Sequence, residues 1–233
     1  MYLDKLDIIY IHPPKTGGTF IENNLINYSY ERKTLIEGYS DHQNVFGLDG
    51  QYTKNKHQNL SEYKKLMSEK LFLNSKILIS VREPLDRIIS YYFGAADKRN
   101  QKTFSIIKNI NTFSQKIFKK YLFGKNFYKY IQPKYTEEDF INFINIVSNQ
   151  TDFLKINNKI ENPDFIINFS NMNNDLEMFL KKNNIPINQN LQKKYNVGKY
   201  KFDISLIKDN KNIIKAIENS HHFIDYQTFN FKI

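Results

Sequence analysis

Short apolar runs alternate along the chain with longer stretches in which apolar residues recur every three or four positions. These are the patterns of strands and of amphipathic helices. Leu6 to Ile11, LDIIYI, reads as a buried strand. Thr19 to Tyr28 reads as a helix, with Phe20, Leu25 and Ile26 toward a core. Residues 38–59 are polar and turn-rich, with Gly38, Gly47 and Gly50. Ser61 is placed to cap a helix running to about Lys70, with Lys64 three positions on instead of the Glu or Gln of a capping box. KILISV, 76–81, is the clearest strand, short and β-branched. Pro84 follows, then a helix from about Leu85 to Phe93. Thr136 precedes EEDFINFINIV, a helix with acidic residues in its first turn, where the helix dipole favours them. DFIINF, 164–169, is a third strand. Residues 174–183 form a helix ended near Asn184 and Pro186, and a last helix covers about 205–219 ahead of a Tyr- and Phe-rich tail.

This alternation predicts a three-layer α/β fold, with a central, mainly parallel sheet flanked by helices. At 233 residues it is expected to be a single domain over 1–233, with 94–135 as a helical insertion. Ligands of such sheets bind beyond the carboxyl ends of the strands. The turns at 12–19 and 82–84 both fall there.

Composition narrows the chemistry. There is no cysteine, which excludes disulfides, thiolate nucleophiles and cysteine metal sites. No apolar stretch approaches the roughly 18 residues of a membrane span, and no secretory leader is evident. A cytoplasmic protein is the expectation. The net charge of +10 suits an anionic partner: nucleic acid, lipid, polyanionic glycan or a phosphorylated cofactor.

The turn HPPKTGGTF, 12–20, leads from the first strand into the first helix. Gly17 and Gly18 let backbone N–H groups approach an anion, the helix N-terminus adds partial positive charge, and Lys15 adds a full one. A GG turn that only relieves strain is the competing reading. The nucleotide-kinase loop G-x-x-x-x-G-K-[ST] does not match, because Lys15 precedes the glycines.

HPPKTGGTF resembles the 5′-phosphosulfate loop of sulfotransferases, in the carbohydrate (heparan- and chondroitin-type) branch that reads H-x-P-K-T-G-G-T. ILISVREPLDRIISYYF, 77–93, resembles the same family's 3′-phosphate motif, with Arg82 and Ser90 eight positions apart. Fainter likeness covers KHQNLSEYKKL, QTDFL at 150–154, 164–185 and YNVGKY at 195–200. The resemblance implies a P-loop-like sulfotransferase fold and the donor 3′-phosphoadenosine 5′-phosphosulfate, with no metal. It implies that Lys15, Thr16, Gly17, Gly18, Thr19 and Phe20 hold the 5′ side of the donor. Lys15 would also stabilise charge on the leaving oxygen. Arg82 and Ser90 would hold the 3′-phosphate, and Lys199 and Tyr200 would close over the nucleotide. Arg87 has two readings, a nucleotide contact or a pin of its helix to a carboxylate.

Transfer to an alcohol needs a base, and histidine suits that near neutral pH. His57 is the first candidate, where the resemblance places a family histidine. His42, beside Asp41, is the second, and Glu37 a third. His12 is expected to position the loop, and His221 and His222 to pack the tail. Residues 98–135 hold ten Lys or Arg, no Asp or Glu, and interleaved aromatics. They read either as an acceptor surface for an anionic glycan, as a nucleic-acid or membrane surface, or as amphipathic helix. The leading expectation is sulfuryl transfer to a carbohydrate hydroxyl, with no nucleic-acid partner. The alternatives are a Mg-dependent P-loop kinase and a non-catalytic basic module on the same scaffold.

Overall fold

A computed structural model describes residues 1–34, 47–97, 135–186 and 203–232, with the side chains of 94–97 excepted. The described chain divides into two compact units. Unit 1 is Met1–Arg82 with Gln150–Val197, and unit 2 is Glu83–Asn149 with Gly198–Ile233.

Unit 1 is built on a four-stranded sheet. Its strands are β1 (Tyr2–Leu3), β2 (Ile8–Ile11), β5 (Lys76–Val81) and β8 (Phe165–Asn168), in that spatial order. A hairpin intervenes in the chain, β3 (Arg32–Thr34) with β4 (Gly47–Asp49), and a second small one pairs β6 (Lys155–Ile156) with β7 (Lys159–Ile160). β2, β5 and β8 run parallel, with Ile11 opposite Ile79 and Val81 opposite Asn168. Only β1 is antiparallel. All four residues of β2 are fully buried, as befits a parallel strand covered on both faces. On one face Ile8, Tyr10, Leu78 and Ile167 pack with Phe20, Ile21 and Leu25 of α1 (Gly18–Leu25). Leu176, Phe179 and Leu180, from a helix over Met172–Lys182, complete that core. On the other face Ile9, Ile11, Ile79 and Val81 are buried too. The result is the expected mixed α/β architecture, with a mostly parallel sheet flanked by helices.

The parallel register brings the ends of β2, β5 and β8 to one edge. Three turns leave that edge, starting at His12, Arg82 and Phe169.

Local chemistry shifts several predicted boundaries. The helix expected from Ser61 is α2 (Leu60–Leu66), and Asn59 is its cap. Asn59 accepts from Glu62 N–H at 2.9 Å while Glu62 accepts from Asn59 N–H at 2.9 Å, a complete capping box two residues earlier than the sequence reading set it. Ser68 then caps a separate helix α3, Glu69–Asn74. In unit 2, α4 (Pro84–Asp97) and α5 (Glu137–Ile144, capped by Thr136) follow prediction closely. With the helix Met172–Lys182 of unit 1 as α6, the helix expected over 205–219 is two pieces. They are α7 (Ser205–Lys208) and α8 (Lys211–Glu218), separated where the Asn210 side chain accepts from the N–H groups of Asn212 and Ile213. The aromatic tail is itself a helix, α9 (Phe223–Phe229). β1 and the β3–β4 hairpin carry too few residues to show alternation. The 98–135 segment lies outside the described residues except for Tyr135. Among the described residues no helix is long and apolar enough to cross a membrane.

Candidate active site

The turn after β2 is held open by its neighbours. Lys15 has φ +69° and Gly17 φ +81°, while Thr16 between them has no positive φ. Alternating signs of φ turn successive N–H groups toward a common concavity, the geometry of an anion nest. The cost of a left-handed lysine, about 1 kcal/mol, is offset by anchoring beneath it. Thr16 donates to Pro13 O at 2.7 Å, so its Oγ1 accepts from Ser80 Oγ at 2.7 Å. Ser80 in turn accepts from the Tyr10 hydroxyl at 2.8 Å. All three side chains are fully buried, and the relay ties the turn to β5. A Cβ on Gly17 would lie 2.9 Å from the Phe169 ring and collide with Met172, and one on Gly18 would fall inside the His12 imidazole. The glycines therefore serve both close packing and an open backbone.

Below the turn lies a buried ionic cluster. His12 Nδ1 is 2.7 Å from Glu22 Oε1, and Lys56 Nζ is 2.7 Å from Glu22 Oε2. Lys56 also donates to Thr19 Oγ1 at 3.1 Å. Burial lowers the His12 pKa against the pull of Glu22, so the ring is neutral near pH 7 and donates Nδ1–H. Burial alone would raise the Glu22 pKa, but His12 and Lys56 outweigh it and hold the carboxyl below its ordinary value.

His57 packs edge-on against His12, with ring centroids 4.5 Å apart, and its Nδ1 donates to His12 O at 2.8 Å. Burial first, then the repulsion of His12, Lys56 and Lys15, pushes its pKa well below the usual histidine value. The ring is therefore neutral, with Nδ1–H committed and the lone pair on Nε2.

At the end of β5, Arg82 is fixed through its backbone. Arg82 N–H donates to Gln150 Oε1 at 2.7 Å, and Gln150 Nε2 donates to Arg82 O at 2.8 Å, so a buried amide imitates a neighbouring strand. The guanidinium carbon lies 4.1 Å from the Phe169 ring centroid, Nη1 is 3.5 Å from Lys15 O, and Nε is buried without a hydrogen-bond partner. No carboxylate among the described residues pairs with Arg82.

In unit 2, Ser90 is a buried residue of α4. Arg87 on the same helix is fully buried and donates through Nη2 to Ser148 O, so it pins its helix to a backbone carbonyl and not to the carboxylate expected. Glu83 caps α4, accepting from Leu85 N–H at 3.0 Å and Asp86 N–H at 2.6 Å.

The chain matches the model of the sulfotransferase family over residues 1–231. It belongs to that family. No curated protein and no solved structure matches it.

Within this sulfotransferase, unit 1 brings together Lys15, Thr16, Gly17, Gly18, Thr19, Arg82 and His57 around the strand ends. Two predicted donor contacts are spent on the fold. The Thr16 hydroxyl is committed to Pro13, which leaves its backbone N–H for a ligand. Phe20 turns its ring into the core and bonds its N–H to Gly17 O at 3.0 Å. His42, Asp41, Glu37, Lys199 and Tyr200 lie outside the described residues. Among the described residues, no three His, Asp or Glu side chains converge on a metal position. Sequence reading missed Glu22, Lys56, Ser80, Gln150 and Phe169. Two of these left a trace: Glu22 sits among Ile21 and Leu25 on the apolar side of α1, and Ser80 interrupts an apolar strand.

Proposed function

We propose that this sulfotransferase moves a sulfuryl group from 3′-phosphoadenosine 5′-phosphosulfate to a hydroxyl of a carbohydrate. The observation that carries the reading is a glycine turn that admits no Cβ, beside a cation-bearing Lys15, on the same sheet edge as an arginine that no carboxylate among the described residues pairs with. That fits an anion at each of two strand ends, as a doubly phosphorylated nucleotide offers. The carbohydrate acceptor rests on the H-x-P-K-T-G-G-T form of the loop.

The donor supplies an activated sulfuryl group, whose bond to a phosphate oxygen breaks as the acceptor oxygen bonds sulfur. The chain supplies the rest. The N–H groups of the 15–19 turn and the Thr19 hydroxyl hold the 5′-phosphate, and Lys15 lowers the cost of charge on the oxygen that leaves. Arg82, its face on Phe169, offers its N–H edge to the 3′-phosphate. His57 takes the acceptor proton on Nε2. Its low pKa keeps it unprotonated across the physiological range, so loss of activity on the acid side lies below pH 6.5. His42 is the alternative base.

Isothermal titration with adenosine 3′,5′-bisphosphate tests the donor. Metal-independent binding is expected, lost in Arg82→Ala, with ATP excluded. ATP binding that requires Mg²⁺ would favour the kinase alternative and sink this one. Turnover with a glycan panel then tests the acceptor, with His57→Ala and His42→Ala assigning the base.

A further inference from the structure

Lys56 is nine-tenths buried. It bridges two groups: the Glu22 carboxylate at 2.7 Å and the hydroxyl of Thr19, the second residue of α1, at 3.1 Å. Stability does not account for such a pair. A buried ion pair rarely stabilises more than apolar residues of the same volume, because desolvation cancels the attraction. Its geometry has a direction instead. A threonine hydroxyl carries one proton. Because Lys56 donates to Thr19 Oγ1, that proton is turned away from the ammonium, and the adjacent charge makes it a stronger donor. Glu22 fixes the arrangement from both sides. Its second oxygen is held by His12, whose ring fills the space that forces Gly18 to be a glycine.

We propose that Lys56, held by Glu22, is a positioning residue for the 5′ end of the donor, acting through the Thr19 hydroxyl. It supplies a second, internal cation under the turn whose outer cation is Lys15. The inference rests on the donor reading above. It assigns roles to two residues that neither the loop motif nor the 3′-phosphate motif contains. Glu22 holds Lys56 in place and aimed, and Lys56 orients the donor proton of Thr19 toward the anion.

The test is a titration of two ligands that differ only at the 5′ position, adenosine 3′,5′-bisphosphate and adenosine 3′-monophosphate. The full chain is compared with Lys56→Met, Thr19→Val and the combination of the two. Lys56→Met alone leaves a bare buried carboxylate, so Lys56→Met/Glu22→Gln, which removes both charges, is measured beside it. Lys56→Met/Glu22→Gln should weaken the bisphosphate by about 10- to 100-fold and leave the monophosphate within about twofold. On the Thr19→Val background the same substitutions should have little further effect, because the hydroxyl through which they act is gone. A general loosening of the turn would instead add to the Thr19→Val loss. Unchanged bisphosphate binding, equal weakening of both ligands, or additivity with Thr19→Val would each overturn the role of Lys56. If the unaltered chain bound neither nucleotide, the donor reading itself would fall, and that outcome is distinct from the other three.

Discussion

Each unit buries charged side chains, and they end in different places. In unit 2 three side chains finish on backbone carbonyls: the buried Arg87 on Ser148 O, the buried His222 through Nε2 on Ile144 O at 3.0 Å, and the exposed His221 through Nε2 on Val147 O at 2.7 Å. These bonds tie α4 and the segment before α9 to α5 and the turn after it. In unit 1 the cluster His12–Glu22–Lys56 runs from side chain to side chain and finishes on Thr19, at the surface of a turn. A buried cation that ends on a carbonyl fixes two elements. One that ends on a side-chain hydroxyl fixes the direction of that hydroxyl's proton. Burial alone does not tell the two apart, but the terminal partner does.

The largest test of this contrast is Lys15→Ala. Loss of the outer cation should lower kcat by about 10²- to 10³-fold with the fold intact, the magnitude of removing one transition-state donor. Steady-state kinetics with a saturating acceptor would show it, and an unchanged kcat would remove Lys15 from the leaving-group role. Next is Gly18→Ala. Its methyl group has no room beside His12, so we expect a loss of about 1–3 kcal/mol in denaturant unfolding, together with weakened nucleotide binding. An unaltered variant would mean that the His12 ring is not seated on the turn.

His222 probes unit 2. Burial, then Arg87 and His221, depress its pKa to about 2. Below about pH 6.5 the unfolded chain binds a proton that the native chain refuses, so stability present above that pH is lost as pH falls. By pH 5 the loss from this group is about 2 kcal/mol. His222→Asn should flatten the pH dependence of unfolding by that amount between pH 7 and 5 without changing nucleotide affinity. An identical slope in the variant would contradict the buried, neutral ring. The smallest effect is expected from Phe169→Leu. It removes the ring under Arg82, a contact worth about 0.5–1 kcal/mol, and should weaken adenosine 3′,5′-bisphosphate a few-fold. Tryptophan at that position should preserve binding.

Much of this was readable in the chain. KILISV became β5 residue for residue, because a short β-branched run bounded by polar residues has few other uses. Pro84 opened α4 and Thr136 capped α5 as their chemistry dictates. The cap at Asn59 was missed because Ser61, two positions on, offers the same chemistry, and only the reciprocal bonds with Glu62 separate them. The break at Asn210 was missed for a related reason. The apolar spacing of Ile207, Ile213 and Ile217 continues across it while the backbone does not.

The candidate site divides along the same line. By itself the sequence determined the two motifs that resemble the family's phosphate loops, their order and the strand ends that carry them, because loop chemistry is local: Lys15, Gly17 and Gly18 are neighbours in the chain. Only the tertiary structure decided what stands under those loops. Glu22 meets Lys56 across 34 positions, Thr16 meets Ser80 across 64, and Arg82 meets Gln150 across 68. Pairings at that distance leave no period or spacing in the sequence. They are set by the parallel register of β2, β5 and β8, which brings three separate turns to one edge of the sheet.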